Sequence, residues 1–218
     1  LFTCLPLHAD EGMWTLYNLP QAVYNQMKGE GFALPYGTLY NNNDAIKNSV
    51  VSFSGYCSGV VVSPDGLVFT NHHCGYGAIA GLSTPEHNYL RDGYWAKTKA
   101  EELSPKRLFV RFFVRMDNVT DRMLSVLNPS MSEEEREAAI QTETHKIQQE
   151  NNEGGKYVVS VRSFFQGNEF YYFVYQDFKD VRLVGTPPES VGKFGGDTDN
   201  WEWPRHTGDF SVFRVYTD

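Results

Sequence analysis

The stretch from Cys57 to Cys74 places the strongest constraint on what this 218-residue chain can fold into. Two short apolar runs, at 60–62 and 67–69, predict two buried strands. The tripeptide Pro64-Asp65-Gly66 between them is typical of a tight turn, because proline fixes φ and glycine accepts a positive φ. A hairpin returns the chain to its starting edge, so the two cysteines can meet. A disulfide there would fix the backbone that carries His73. The alternative is a pair of unpaired core cysteines beside a structural histidine.

This arrangement resembles the histidine segment of chymotrypsin-like serine peptidases. In that family a Cys-x-Gly strand leads through a hairpin to a Thr-x-x-His-Cys end, and the two cysteines are bonded. The matching residues are Cys57, Gly59, Thr70, His73 and Cys74. The resemblance therefore implies that His73, rather than the preceding histidine, is the catalytic base, and that the cysteines form a disulfide.

Composition limits the classes of partner. Hydrophobic residues make up 41% of the chain and aromatic residues 15%, which is enough to build a core. The formal net charge of −8 argues against nucleic acid or an anionic membrane surface as a partner, since either favours clustered Lys and Arg. No apolar run has the length that a membrane-spanning helix needs.

Residues 1–9 resemble the end of a signal peptide, because they are apolar and are followed by polar residues at 10–12. Removing them would remove Cys4 and leave two cysteines, the number that one disulfide needs in an oxidising compartment. We therefore expect a periplasmic or secreted protein. The alternative is an ordinary apolar N-terminus.

The rest of the chain predicts a mostly β protein. Residues 10–48 are expected to form a leading segment with one helix over 19–28, and the resemblance implies that residues 49–218 are the N-terminal part of a peptidase domain. Short strands separated by turns favour an antiparallel barrel, interrupted by a helical excursion at about 119–152. In that excursion Ser132 precedes three glutamates, which is typical of a capped helix start, and the charged run is expected to face solvent. The glycine-rich residues 75–79 predict a close turn behind the histidine.

The second chemically informative stretch is residues 191–210, which is dense in glycine, carboxylates, amides and tryptophan. Asp209 stands just before a predicted strand at 211–216. The run Gly-Gly-Asp-Thr-Asp-Asn-Trp-x-Trp-Pro-Arg-His-Thr-Gly-Asp-Phe, with the earlier Thr-Asn-His-His-Cys-Gly, resembles the bacterial periplasmic dipeptidyl-peptidases of the dipeptidyl-peptidase 7 and 11 family. The resemblance covers essentially residues 10–218.

That resemblance implies a chymotrypsin-like double β-barrel, of which this chain holds the first barrel with inserted short helices. It also implies an enzyme that releases dipeptides from the free N-terminus of oligopeptides and forms homodimers. His73 would be the base of the triad and Asp209 its orienting carboxylate. Asn200 and Trp201 match residues that hold the N-terminal amine of the substrate.

Each of these residues also has a simpler interpretation. Asp209 can be a turn residue that satisfies backbone N–H groups, and Trp201 can be a packing residue. A zinc site built from the two histidines and two cysteines competes with the disulfide, although adjacent histidines point apart. Residues 197–200 resemble part of a calcium loop, but the later glutamate and glycine pattern is missing. We expect neither a metal nor a cofactor.

The chain offers no nucleophile of the expected kind. A serine of this class follows the aspartate in a Gly-x-Ser-Gly turn. The Ser-Gly pairs here, at Ser54 and Ser58, precede the histidine, and Ser211 falls within a predicted strand. We therefore expect an N-terminal portion of a longer enzyme that is inactive alone. The alternative is a non-catalytic peptide-binding or structural barrel that lacks the serine.

Overall fold

The computed structural model describes residue 14 and residues 16–40, 45–192 and 208–217. The chain divides into two compact units, Leu1–Asn48 and Ser49–Asp218. In the first unit, helix α1 (Gln21–Gly29) is followed by the short helix α2 (Tyr36–Leu39). The ring of Tyr24 packs edge-on against Tyr36, and its hydroxyl donates a 2.9 Å hydrogen bond to the carbonyl oxygen of Leu34. This aromatic contact holds the two helices together.

The second unit is a nine-stranded antiparallel sheet with helices between its strands. The strand order across the sheet is β4-β8-β9-β3-β2-β1-β5-β7-β6. The helices here are α3 (His72–Leu82), α4 (Tyr89–Asp92), α5 (Thr120–Ser125), α6 (Glu133–Asn151) and α7 (Glu189–Gly192). The strands are β1 (Val50–Phe53), β2 (Cys57–Val61), β3 (Leu67–Thr70), β4 (Tyr94–Trp95), β5 (Val110–Asn118), β6 (Val158–Phe164), β7 (Glu169–Phe178), β8 (Asp180–Thr186) and β9 (Ser211–Tyr216).

The sheet is strongly curled, as a barrel requires. Strands β9 and β1 stand three places apart in the sheet, which in a flat sheet would separate them by about 14 Å. The rings of Phe213 on β9 and Phe53 on β1 nevertheless lie 4.9 Å apart between centroids, and both are fully buried. Core residues from β3, β5 and β8 join the same cluster. The predicted mostly β fold with inserted short helices is confirmed.

Some local predictions from the sequence are wrong. The run Val60–Val62 is not a buried strand, because β2 ends at Val61 and both Val60 and Val62 are exposed. Residues 75–79 do not form a turn behind the histidine but lie inside α3. Alternation in a strand sends neighbouring side chains to opposite faces, so a run of three valines cannot be buried together on one face.

Two helices, α5 and α6, occupy the segment between β5 and β6. The predicted cap of α6 is confirmed: the Ser132 hydroxyl accepts from the Glu135 N–H, and the Glu135 carboxylate accepts from the Ser132 N–H. The charged run is not wholly solvated, because Glu143 is buried and pairs with Arg122 at 2.6 Å. Among the described residues, none of the helices has both the length and the apolarity needed to cross a membrane.

Candidate functional site

The ladder between β3 and β9 brings together two parts of the chain that are far apart in sequence. Thr70, the last residue of β3, pairs with Ser211, the first residue of β9. The chain leaves β3 through Asn71 into helix α3, and it approaches β9 through Asp209. As a result His73, in the first turn of α3, faces Asp209 across a separation of 136 residues.

The imidazole of His73 and the carboxylate of Asp209 form a hydrogen-bonded pair. Nδ1 of His73 lies 2.8 Å from Oδ2 of Asp209, and the backbone N–H of His73 donates to Oδ1 at 3.1 Å. An ionised carboxylate can only accept, so Nδ1 carries the hydrogen and Nε2 of the neutral ring is the acceptor. The His73 side chain is 65% exposed, so Nε2 can meet an incoming group. This arrangement suits a general base whose tautomer is fixed.

The surroundings of Asp209 keep its carboxyl group ionised. Partial burial acts to raise the pKa of Asp209, but hydrogen bonds from the backbone and ring of His73, with a further one from Asn71, outweigh it and hold the pKa below its usual range. The carboxylate also lies at the N-terminus of α3, where the free N–H groups and the helix dipole favour negative charge. Asp209 therefore acts as an external cap of that helix.

A disulfide fixes the start of α3 to the beginning of β2. Cys57 and Cys74 are bonded, with their Cα atoms 6.0 Å apart, and the Tyr56 hydroxyl donates to the carbonyl oxygen of Cys74 at 3.1 Å. Ligand atoms of Cys57, His73 and Cys74 lie within 4.8 Å of one another. Both sulfur atoms are consumed in the disulfide, however, so this group offers no thiolates to a metal while the bond is intact.

The two adjacent histidines point in different directions. His72 is fully buried, whereas His73 is exposed. A Cβ atom on Gly192, at the end of α7, would stand 2.6 Å from Cγ of His72, so that glycine packs directly against the imidazole ring. His72 is thus a packing residue between α3 and α7 and does not join the His73–Asp209 pair.

The other predicted site residues cannot be compared with the structure. Asn200 and Trp201, and the calcium-like residues 197–200, lie outside the described residues. The sequence reasoning missed Asn71, whose side-chain amide contacts Asp209, and Ser211, whose hydroxyl donates to the carbonyl oxygen of Asn71 at 3.0 Å. No local pattern marked Asn71, because its amide meets Asp209 only once β3 has paired with β9.

The His73–Asp209 pair, held beside a disulfide on a curled antiparallel sheet, is the arrangement that the resemblance to chymotrypsin-like peptidases predicts. The chain belongs to the peptidase S46 family, whose model matches residues 9–218.

Relatives of this family match nearly the whole chain. It is 70% identical to dipeptidyl-peptidase 7 of Capnocytophaga gingivalis, with 100% of this chain and 31% of that protein aligned. It is 44% identical to the Asp/Glu-specific dipeptidyl-peptidase of the same organism, covering 95% of this chain and 29% of that protein. The crystal structure of Porphyromonas endodontalis DPP11 in complex with the dipeptide Arg-Asp superposes with a TM-score of 0.86 at 40% identity, covering 96% of this chain and 31% of that one. The chain thus spans about three tenths of the length of these relatives.

Proposed function

We propose that the protein is a serine-type dipeptidyl-peptidase that releases dipeptides from the free N-terminus of oligopeptides. The observation that carries this proposal is the contact between His73 Nδ1 and Asp209 Oδ2, which leaves Nε2 as an exposed acceptor. Family membership and the likeness to a dipeptide complex support the substrate class.

In the proposed reaction, Nε2 of His73 takes the proton from a serine hydroxyl as its oxygen attacks the scissile carbonyl carbon. The same nitrogen then gives that proton to the amine of the leaving peptide as the C–N bond breaks. Water hydrolyses the acyl-enzyme with the same base. Asp209 holds the Nδ1–H tautomer and stabilises the imidazolium that forms. We propose that the nucleophilic serine and the oxyanion hole lie in the part of the relatives' length that this chain does not span, and that these 218 residues alone have no turnover.

Dipeptide release also requires a fixed distance between the substrate amine and the scissile bond. We assign recognition of the amine to Asn200 and Trp201, through the amide oxygen of the first and the backbone carbonyl and ring of the second. The disulfide supports an oxidising compartment, and we propose a periplasmic or secreted location. Homodimer formation is proposed on the resemblance to the family.

Comparison with the relatives also bears on the side-chain preference of the proposed enzyme. Identity to dipeptidyl-peptidase 7 of Capnocytophaga gingivalis is 70%, against 44% for the Asp/Glu-specific enzyme from that organism. We therefore propose that the second residue of preferred substrates is not acidic.

The test uses the full-length protein and dipeptidyl chromogenic substrates with apolar or acidic second residues. Cleavage should require a free α-amine, and equal cleavage of the N-acetylated substrate would refute the roles of Asn200 and Trp201. His73→Ala should lower kcat by about 10⁴-fold or more. His145→Ala, at an exposed position on α6, is the matched control and should retain activity.

Labelling separates the serine enzyme from a non-catalytic binding relative. A fluorophosphonate, which phosphonylates an activated serine, should label the wild-type protein and not the His73→Ala variant. Absence of label on the wild-type protein, together with peptide binding without cleavage, would establish the binding module instead.

A further inference from the structure

We propose that Asn71 is a positioning residue for the His73–Asp209 pair, an inference that rests on the proposed peptidase function. Its side-chain amide Nδ2 lies 3.1 Å from Oδ2 of Asp209 and 3.3 Å from the backbone carbonyl oxygen of Asp209. Both of those atoms can only accept a hydrogen bond, so the NH₂ end of the amide must face them. Asn71 is therefore a donor to the carboxylate.

The Asn71 amide contacts the same carboxylate oxygen that binds the His73 ring. Oδ2 of Asp209 accepts from Nδ1 of His73 and from Nδ2 of Asn71, while Oδ1 accepts from the backbone N–H of His73. Three donors from one short segment therefore fix both oxygens, and the plane of the carboxylate cannot rotate without breaking one of these bonds. The direction in which Oδ2 points sets the orientation of the imidazole ring and of Nε2.

Asn71 is itself held rigidly. Its backbone carbonyl accepts from the N–H groups of Cys74 and Gly75, both at 3.2 Å, and from the hydroxyl of the fully buried Ser211 at 3.0 Å. The end of β3, the start of α3 and the start of β9 are thus joined at one residue. A side chain on such a support can hold a partner in place.

The side-chain amide of Asn71 can contact Asp209 because it does not cap helix α3. Asn71 precedes α3 in an extended conformation, where asparagine normally accepts from the helix N–H groups, but its side chain makes no such bond. The Asp209 carboxylate accepts the His73 N–H instead. Asp209 therefore caps this helix end, while Asn71 orients the Asp209 carboxylate, and substitutions of Asn71 can distinguish the two roles.

Two variants of the full-length enzyme test the assignment. Asn71→Ala removes the donor and lets water reach the carboxylate, so kcat should fall about 3- to 10-fold with KM within about twofold. Asn71→Asp keeps the size and the capping ability but turns a carboxylate toward Asp209, so kcat should fall about 10- to 100-fold. A residue needed only for the helix start would give the reverse order, since aspartate caps far better than alanine.

The pH dependence provides a second readout. Two facing carboxylates can share a proton at lower pH but repel each other once both are ionised. The kcat of Asn71→Asp relative to wild type should therefore decline from about pH 6 to pH 9, whereas the ratio for Asn71→Ala should stay flat. Within the described part of the chain, His73 is the other titratable side chain in contact with Asp209. An added negative charge also favours the imidazolium form of that ring, so the ratios are compared over the pH range in which wild-type kcat is constant. Asn152→Asp is the control, because the Asn152 side chain accepts a hydrogen bond through its oxygen and aspartate preserves that bond.

The assignment would be overturned if Asn71→Asp kept the wild-type kcat. It would also be overturned if the loss of kcat in each variant matched its loss of unfolding temperature instead of its loss of the hydrogen-bond donor. If the wild-type enzyme cleaves no N-terminal dipeptide, the proposed function fails and a different measurement decides the role of Asn71. The Nδ1 proton of His73, identified as the low-field NMR resonance that His73→Ala abolishes, should shift in both Asn71 variants. An unchanged resonance would refute the contact independently of activity.

Discussion

Replacing Gly75 by alanine tests whether helix α3 packs so closely against strand β9 that a methyl group does not fit between them. A Cβ atom at Gly75 would stand 2.6 Å from Oγ of Ser211, 3.2 Å from Cε2 of Phe213 and 3.3 Å from Cδ1 of Ile79. All three neighbours are fully buried, so none can move into solvent. Overpacking of this kind costs about 1–3 kcal/mol, against a helix-propensity gain of about 0.5–1 kcal/mol. We expect Gly75→Ala to destabilise the protein.

The same helix supplies the matched control. A Cβ atom at Gly77 would meet no atom within 4 Å, so Gly77→Ala should stabilise by about 0.5–1 kcal/mol through propensity alone. Differential scanning calorimetry of the full-length protein, with hydrogen–deuterium exchange of α3 as the local readout, compares the two variants. Equal stability of Gly75→Ala and Gly77→Ala would refute the packing argument.

A double-mutant cycle identifies the atom responsible. Ser211→Ala removes the nearest neighbour and, alone, should cost about 0.5–1.5 kcal/mol through the lost hydrogen bond to the Asn71 carbonyl. The Gly75→Ala/Ser211→Ala protein should be destabilised by about 0.5–3 kcal/mol less than the sum of the two single variants. Strict additivity would mean that Phe213 and Ile79, rather than the hydroxyl, resist the added methyl group.

Two further predictions concern the disulfide and Asp209. Replacing Cys57 and Cys74 together by serine should destabilise the protein by about 3 kcal/mol, because the disulfide closes a loop between cysteines 17 positions apart in the sequence. Unfolding by denaturant should then no longer respond to a reductant, and an unchanged midpoint in the variant would contradict the estimate. The depressed pKa of Asp209 should stabilise the fold above the usual carboxyl value of about 3.9, with that contribution lost as the pH falls through the lower folded value. The stability difference between wild type and Asp209→Asn should therefore be full at pH 6–7 and shrink below about pH 4, and a difference constant with pH would count against it.

Much of the fold follows from local sequence patterns, and the exceptions have physical reasons. The turn at Gly66 and strands β3 and β9 could be predicted because turn residues and alternation act over short distances. Helix α3 could not, because Gly75, Gly77 and Gly81 lower helix propensity. At Gly75 the reason is tertiary: only a residue without a side chain lets the helix lie against Ser211.

The candidate site, too, could be predicted from the sequence only in part. Successive side chains diverge, so the two adjacent histidines were expected to face different ways, and the resemblance to known peptidases selected His73 as the one in the site. The partnership of His73 with Asp209 depends on the pairing of β3 with β9, which no local pattern specifies. Asn71 was missed because its amide acquires a role only once that pairing has formed. The roles of Asn200 and Trp201 stay predictions.

The position of β9 in the sheet has a consequence for the order of folding. Strand β9 lies between β3 and β8, so without it the sheet separates into two groups of strands. The β2–β3 hairpin and its disulfide join near neighbours in sequence and can form early, whereas β9 must wait for a loop of well over a hundred residues to close. Because Asp209 arrives with β9, we expect the imidazole of His73 to remain without its carboxylate until this late step.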